Sequence, residues 1–232
     1  MNNFSQEDID IFTEIEKIRE EIKSKKLSIS LIDYGAGNPE DKRNEEQMYN
    51  GTIKNTNSFD LCSIGLKNEW AQKMYSLVKQ NKPKNILEMG TCCGFSSIYM
   101  SKANATSNIF TVEGDCNVAQ LASTNIKKAN CKNIKQFIGK FQDILDDVLD
   151  EIKEIDFAFI DGHHDKDATI KYFDQIKPYL NNNSIVVFDD ISWSDGMKDA
   201  WEIIKKDLII SKVDDLEKLG ICYISKVNYD LV

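Results

Sequence analysis

The chain has neither an excess of basic charge nor a long apolar run. Its 29 Lys and Arg residues are outnumbered by 38 Asp and Glu residues, which gives a net charge of −9. This balance disfavours a broad electrostatic contact with nucleic acid at physiological salt. The longest apolar runs fall short of the roughly eighteen residues needed to cross a bilayer, so we expect no membrane association. The first twenty residues lack the basic and then apolar order of an export signal, and we therefore expect a cytoplasmic location.

The six cysteines show neither the paired spacing of zinc ligands nor the density of a disulfide scaffold. We therefore expect free thiols. Cys92 and Cys93 are adjacent in the sequence, and adjacent side chains rarely both face one ion, which disfavours a zinc site. Both cysteines fit better as small residues that pack a tight turn.

Short apolar runs alternate regularly with helix-like segments over most of the chain. Runs at 85–89, 108–112, 134–138, 155–160 and 184–189 predict strands. Because parallel neighbours need crossover helices, the pattern predicts an α/β fold with a doubly wound, mainly parallel, Rossmann-like sheet. The closely spaced runs LIISKV and GICYISK predict an antiparallel C-terminal hairpin, which completes a seven-stranded sheet.

The N-terminal quarter has a different pattern. Ser5 and Asp8 resemble a capping box at the start of an amphipathic helix. Residues 28–60 are rich in Gly, Asn and charge, which predicts an irregular arm or lid, with a solvated linker as the alternative. We therefore divide the chain into an N-terminal helix and lid arm and a C-terminal domain. The predicted bounds are 1–60 and 61–232.

The segment NILEMGTCCGFSSIYM begins as a buried strand and ends as a helix. Ligands of such sheets bind beyond the carboxyl ends of the strands. Gly90 and Gly94 let the backbone pass close to a ligand, the helix N-terminus favours a negative group, and Ser96 adds a hydroxyl. The spacing lacks the third glycine of a dinucleotide site. Glu113 ends the next strand, where a carboxylate can accept hydrogen bonds from both ribose hydroxyls, so we predict an adenosine-bearing ligand without a pyrophosphate.

LEMGTCCGFSSIYM and FTVEGD together resemble the S-adenosylmethionine motifs of class I methyltransferases, in particular the catechol and caffeoyl-CoA type O-methyltransferases. The likeness covers about residues 83–226. It implies S-adenosylmethionine as the cofactor, held by the glycine turn, by acids at strand ends and by an FQD segment that flanks the adenine. The residues implied to bind the cofactor are Glu88, Gly90, Gly94, Ser96, Glu113, Phe141, Gln142 and Asp161.

Two further strand ends carry acidic side chains, Asp161 in FAFIDGHHDKD and the pair Asp189 and Asp190 in IVVFDDISWSDG. Three converging carboxylates raise one another's pKa unless a cation lies between them. Oxygen ligands alone suit a hard ion such as Mg²⁺. The resemblance likewise implies these three residues as ligands of a divalent metal, although the catechol enzyme has asparagine where this chain has Asp190. The alternative is that some of them only cap a helix or hold the cofactor amine.

The resemblance also implies a base three residues after the first of these acids. Catechol-type enzymes have a lysine there, and this chain has His164. An imidazole titrates near neutral pH, so we predict His164 as the base, with His163 and Lys166 as the next candidates. Alternatively, both histidines are surface residues or further metal ligands. Trp193 is expected to line an acceptor pocket and Trp201 to lie in the core.

The leading hypothesis is an S-adenosylmethionine-dependent O-methyltransferase that acts on a hydroxyl of a small molecule with help from a divalent metal. Three alternatives remain: a tRNA nucleoside methyltransferase, an NAD-dependent oxidoreductase, and a methyltransferase-like binding module without activity. The net charge disfavours the first, and the missing third glycine disfavours the second. The sequence determines neither the acceptor nor the oligomeric state, although the N-terminal helix offers a contact for a homodimer. Tyr34 in the YGAGN turn is a candidate for closing over the site.

Overall fold

The computed structural model describes residues 4–226. The outer ends of the two predicted domains, 1–3 and 227–232, lie outside the described residues. In chain order, the helices are α1 (Gln6–Lys25), α2 (Glu45–Asn50), α3 (Ser58–Ile64), α4 (Asn68–Asn81), α5 (Phe95–Ala103), α6 (Cys116–Lys128), α7 (Phe141–Ile152), α8 (Lys166–Ile176) and α9 (Asp195–Ile204). The strands are β1 (Ser28–Asp33), β2 (Thr52–Asn57), β3 (Asn85–Met89), β4 (Asn108–Glu113), β5 (Ile134–Ile138), β6 (Ile155–Ile160), β7 (Leu180–Phe188), β8 (Ile210–Asp215) and β9 (Gly220–Ile224).

Seven strands form the main sheet in the order β5-β4-β3-β6-β7-β9-β8. The first five in this order run parallel, and β9 pairs antiparallel with both β7 and β8. The predicted α/β fold, with a mainly parallel sheet of seven strands and an antiparallel C-terminal hairpin, is confirmed. Because β3 lies between β4 and β6, the order of the strands reverses beside β3. In open α/β sheets this switch point is where ligands bind, at the carboxyl ends of the strands.

Helices cover both faces of the sheet, as the alternation within β6 shows. Phe157 and Phe159 face a core that also contains α1, α4, α5 and α6 residues. Ala158 and Ile160 face the opposite core, formed with α7, α8 and α9. Successive side chains of a strand point to opposite faces, so a continuous apolar run is needed wherever both faces are buried. This burial explains why the strands of the main sheet appear as continuous apolar runs in the sequence.

The capping box predicted at the start of α1 is present. The amide of Asp8 donates to Ser5 Oγ at 3.2 Å, and the amide of Ser5 donates to the Asp8 carboxylate at 3.1 Å. Phe12 and Ile15 on the apolar face of this helix are buried in the same core as α5. The helix is therefore packed against the main sheet domain. None of the helices among residues 4–226 is both long and apolar enough to cross a membrane.

Residues 28–60 are not irregular, so that prediction is wrong. The strands β1 and β2 pair antiparallel over six residues each, from Ser28 opposite Asn57 to Asp33 opposite Thr52. Ile29 and Leu31 pack against the main core, whereas Ser28, Ser30 and Ile32 are exposed. A hairpin with one packed face needs apolar residues at alternate positions of only one strand. The alternation within SISLID is the signal that reveals this strand in the sequence.

Candidate functional site

A cavity of about 230 Å³ opens at the carboxyl ends of β3, β4 and β6. Its lining combines the turn after β3, the end of β4, the start of α7, the loop after β6 and the loop that follows β1. The residues used below that line it are Tyr34, Gly35, Gly90, Cys92, Glu113, Phe141, Gln142, Asp161, His163 and His164. The residues predicted at the ends of β3, β4 and β6 therefore meet in one place, whereas Asp189 and Asp190 after β7 do not line this cavity.

The glycine turn brings β3 and β6 into very close contact. Gly90 has a φ of 109°, and a Cβ atom at this position would lie 1.9 Å from the carbonyl oxygen of Asp161. The amide of Asp161 in turn donates to the carbonyl of Met89 at 2.9 Å. Gly94 precedes α5 with a φ of 80°, in the left-handed region that favours glycine. Both glycines are therefore required by the backbone itself.

The carboxylate of Glu113 accepts two backbone hydrogen bonds at the edge of the cavity. Oε2 accepts from the Cys92 amide at 2.8 Å, and Oε1 accepts from the Asp115 amide at 3.0 Å. Burial raises the pKa of Glu113 to about 7, against the lowering effect of these hydrogen bonds. Glu113 is therefore a positioned acceptor whose charge changes close to neutral pH.

Glu88 lies beneath the glycine turn and is fully buried. Its Oε2 accepts hydrogen bonds from Ser97 and, at 2.6 Å, from Thr111. Among the described residues, Oε1 has no hydrogen-bond partner, and burial raises the pKa of Glu88 despite the neighbouring hydroxyls, including that of Ser96. In this arrangement Glu88 joins β3, β4 and α5. Ser96 is likewise buried in the first turn of α5.

The FQD segment starts α7 beside the loop after β6. A Cβ at Gly162 would lie 2.8 Å from the Phe141 ring, so this glycine allows the ring to pack against the loop. The Phe141 ring also meets Tyr172 edge to face, with centroids 5.5 Å apart. Gln142 Nε2 lies 3.3 Å from His163 Nδ1. Phe141 and Gln142 thus form one wall of the cavity, where the family resemblance puts the adenine.

The two histidines of the loop after β6 have different surroundings. His163 Nδ1 lies 2.8 Å from the Tyr172 hydroxyl, and burial lowers the pKa of His163. His164 Nε2 lies 3.8 Å from Asp161 Oδ1. Burial lowers the pKa of His164 as well, against the opposing effect of nearby carboxylates, so its imidazole is neutral at pH 7. Lys166 is directed elsewhere, since its ammonium pairs with Asp199 on α9 at 3.0 Å.

The three predicted metal ligands converge, but a lysine lies among them. Lys218 Nζ is 2.7 Å from Asp189 Oδ1 and 2.5 Å from Asp190 Oδ1. Burial and the charges of Asp189 and Asp190 raise the pKa of Asp161 well above its usual range. Burial lowers the pKa of Lys218, but the two carboxylates outweigh this effect and the net shift is upward. Lys218 therefore carries its positive charge at neutral pH.

This donor set does not fit a resident divalent cation. Within residues 4–226, no group of three or more His, Cys, Asp or Glu side chains is arranged to hold a metal ion. Two of the three carboxylates already have the Lys218 ammonium as their partner. A divalent ion bound to the same oxygens would lie against a like charge. The sequence analysis did not identify Lys218, because it comes from the C-terminal hairpin and belongs to no strand-end motif.

A covering loop, residues 33–37, lines the cavity with Asp33, Tyr34 and Gly35 and overlaps the YGAGN turn that the sequence analysis named. A Cβ at Gly114 would lie 2.8 Å from the Tyr34 ring, so this ring packs directly on the backbone after β4. The amide of Ala36 donates to the carbonyl of His163 at 2.7 Å. The Arg43 side chain stabilises the loop, since its Nη1 donates to the carbonyls of Asp33 at 2.9 Å and Gly35 at 3.0 Å.

A second, larger cleft of about 510 Å³ lies on the other side of His164. Trp193 lines this cleft and is 46% exposed. Lys42 and Lys166 also line it. Trp201, by contrast, is buried in the core and donates from Nε1 to Asp215 at 2.7 Å. The different positions of the two tryptophans agree with the sequence analysis.

Comparison with known proteins agrees with this geometry. Residues 87–191 match the family described as a methyltransferase domain. A catechol O-methyltransferase from Niastella koreensis is 33% identical over 111 residues, which are 47% of this chain and 49% of that protein. A caffeoyl-CoA O-methyltransferase from Stellaria longipes is 25% identical over 66% of this chain and 69% of that protein. The match thus spans about half the length of the first of these relatives.

Solved structures extend the likeness to the whole fold. The crystal structure of the methyltransferase PaMTH1 from Podospora anserina, bound to S-adenosylhomocysteine, covers 97% of this chain and 99% of that chain. Its TM-score is 0.66 at 14% sequence identity, which is a likeness of fold alone. The sheet order is that of an α/β fold, which the chain shares with this methyltransferase structure. Residues 87–191, less than half of the chain, resemble the methyltransferase domain family, and the similar proteins include a catechol and a caffeoyl-CoA O-methyltransferase.

Proposed function

We propose that the protein transfers the methyl group of S-adenosylmethionine to a hydroxyl of a small molecule. The single observation that carries this proposal is the convergence, in one cavity, of the glycine turn, the Glu113 carboxylate, the Phe141 wall and the His164 imidazole. The resemblance to O-methyltransferases supports the same reaction. The activity of the relatives is theirs, and for this chain O-methyl transfer is our inference.

The residues of the cavity fit the proposed cofactor. The backbone amides at the start of α5 would hold its amino-acid part, and Ser96 lies in the first turn of that helix. Glu113 supplies carboxylate oxygens for the ribose hydroxyls, and Phe141 and Gln142 flank the adenine. Asp161 lies next to Gly90, close to the cofactor amine. When bound, the cofactor supplies an electrophilic methyl group on a sulfonium.

His164 would accept the proton from the acceptor hydroxyl. Its imidazole is neutral because burial lowers its pKa, and a neutral imidazole can act as a base at pH 7. An imidazole nitrogen of His164 would hold the proton that leaves the acceptor oxygen as the cofactor supplies its methyl group to that oxygen. His163 fixes the loop after β6 through its contact with the Tyr172 hydroxyl. Lys166 is a secondary candidate for the base. The cleft beside Trp193 would receive the acceptor.

The divalent cation expected from the sequence has no step in this mechanism. Asp161, Asp189 and Asp190 share their space with Lys218, and the donor set therefore does not fit Mg²⁺. The cytoplasmic location, the homodimer and the domain bounds at residue 60 stay predictions.

Isothermal titration calorimetry with S-adenosylhomocysteine and with NAD tests the cofactor assignment. We expect heat of binding with the first ligand only. Mass spectrometry of reactions with S-adenosylmethionine and catechol, caffeate or bulk tRNA tests the acceptor class, and we expect a mass increase of one methyl group on a hydroxylated small molecule. Binding of NAD alone, or methylation of tRNA alone, would overturn the proposal.

A further inference from the structure

We propose that the ammonium of Lys218 takes the place of a divalent cation at the carboxyl ends of β6 and β7, so that this protein carries its own cation and binds no metal ion there. The inference about metal binding stands on the geometry of Lys218. Only its consequence for turnover rests on the proposed function.

Lys218 is held at this position by its backbone as well as by its charge. It lies in the turn between β8 and β9, where its amide donates to the carbonyl of Leu216 at 2.7 Å. Its carbonyl accepts from the amide of Ile191 at 3.1 Å, which ties the turn to the loop that carries Asp189 and Asp190. The side chain is only 33% exposed. The turn that carries Lys218 is therefore fixed against the loop that carries the two acids.

Two of the three predicted metal ligands already have one carboxylate oxygen paired with the Lys218 ammonium. Asp189 is 4% exposed, and its Oδ1 accepts from both Lys218 Nζ and the amide of Asp190 at 2.8 Å. Asp190 Oδ1 accepts from the same ammonium at 2.5 Å. A buried carboxylate pair without a cation is strongly unfavourable, and the lysine removes that cost without a metal.

The ammonium lies beside the loop that carries the reacting groups. Its partner Asp189 donates its amide to the carbonyl of Ile160, directly before Asp161, at 2.9 Å. A lysine ammonium has three N–H donors, and among residues 4–226 two of them are paired with Asp189 and Asp190. The third is left for the oxygen of an acceptor. Lys218 would therefore supply the positive charge beside that oxygen.

Binding of Mn²⁺, followed by electron paramagnetic resonance of the free ion, tests this inference without any activity. We compare the wild type with Lys218→Met and with Lys212→Met as a matched control. Lys212 lies on the same hairpin, is 61% exposed and pairs with Asp214. We expect the wild type and the control to bind Mn²⁺ with a Kd weaker than about 1 mM.

Lys218→Met leaves the carboxylates without their cation, and we expect it to bind one Mn²⁺ at least about tenfold more tightly than the wild type. The added substitution Asp189→Asn should remove this gain. Stoichiometric, micromolar binding of Mn²⁺ by the wild type would overturn the inference, whether or not the variants fold. An unchanged affinity in a Lys218→Met protein with a wild-type circular dichroism spectrum would also overturn it.

Turnover with S-adenosylmethionine and catechol provides the second readout. We expect EDTA to leave the wild-type rate unchanged and Lys218→Met to lower kcat by at least about tenfold, whereas Lys218→Arg keeps most of it. A wild-type rate that EDTA abolishes and Mg²⁺ restores would overturn the inference. If the wild type methylates no acceptor at all, the proposed function fails, and the Mn²⁺ titration alone decides the role of Lys218.

Discussion

The Oε2 atom of Glu113 accepts a hydrogen bond of 2.8 Å from the amide of Cys92. This bond joins the end of β4 to the glycine turn after β3, two segments that come from separate sequence motifs. It orients the carboxylate at the edge of the cavity before any ligand is bound. Because the group is buried, its pKa is raised to about 7.

The raised pKa of Glu113 predicts that cofactor affinity depends on pH. At pH 8 most of the side chain is ionised and accepts from two ribose hydroxyls, whereas at pH 6 most of it is protonated. We expect calorimetry to give a Kd for S-adenosylhomocysteine about tenfold weaker at pH 6 than at pH 8. Glu113→Gln should bind weakly at both values. The exposed Glu69→Gln should keep the wild-type profile, and equal wild-type affinities at both pH values would contradict this prediction.

The close contact at Gly90 predicts that one added methyl group there lowers the free energy of unfolding strongly. Ala at this position would place Cβ 1.9 Å from the Asp161 carbonyl oxygen at a φ of 109°. We expect Gly90→Ala to lower the free energy of unfolding by about 3 kcal/mol or more. Gly65→Ala is the control, since its Cβ would meet no atom within 4 Å, and its effect should stay within about 0.5 kcal/mol. Urea denaturation compares the two, and similar costs would refute the close-contact explanation.

The contacts of Arg43 predict that its substitution weakens binding of S-adenosylhomocysteine with little loss of protein stability. Its guanidinium donates to the carbonyls of Asp33 and Gly35, so Arg43→Met should release the covering loop, residues 33–37. We expect faster hydrogen exchange at Gly35 and Ala36 and about tenfold weaker binding of S-adenosylhomocysteine. Lys54 pairs with the Asp33 carboxylate but donates to neither carbonyl. Lys54→Met should therefore leave exchange in the loop unchanged, and a loop that stays protected in Arg43→Met would argue against this role.

The different surroundings of His164 and His163 predict that substituting each of them has a different kinetic effect. Removal of a base from the reacting centre lowers kcat, so we expect His164→Ala to reduce kcat about 100-fold or more, with an unchanged Kd for S-adenosylhomocysteine. His163 orders the loop through the Tyr172 hydroxyl at 2.8 Å. Both His163→Ala and Tyr172→Phe should therefore raise the Kd more than they lower kcat. Steady-state kinetics with catechol and calorimetry separate these effects, and a wild-type kcat in His164→Ala would exclude it as the base.

The sheet was predictable because its strands are buried on both faces. Burial on two sides demands unbroken apolar runs such as 155–160, and these are visible without any tertiary information. The hairpin β1–β2 was missed because only one of its faces is packed and β2 itself is polar. Its pairing depends on backbone hydrogen bonds, which leave little trace in the side-chain pattern.

The glycine turn and the strand-end acids were likewise predictable, since parallel strands bring their carboxyl ends to one edge whatever their order in the chain. The partners of those side chains were not. Lys218 is 28 residues beyond Asp190 in the sequence, and only the packing of the C-terminal hairpin brings its ammonium to 2.5 Å from that carboxylate. The contacts of the Arg43 guanidinium with the carbonyls of Asp33 and Gly35 likewise form only in the folded structure.

The sequence by itself determined the class of fold, the edge of the sheet that carries the site and the acids that line it, because burial and strand direction act locally on the chain. Only the tertiary structure decided which charge neutralises those acids and which segments the covering loop packs against. Both depend on contacts between distant segments, and the energy of such a contact depends on distance and burial, which no spacing in the sequence encodes.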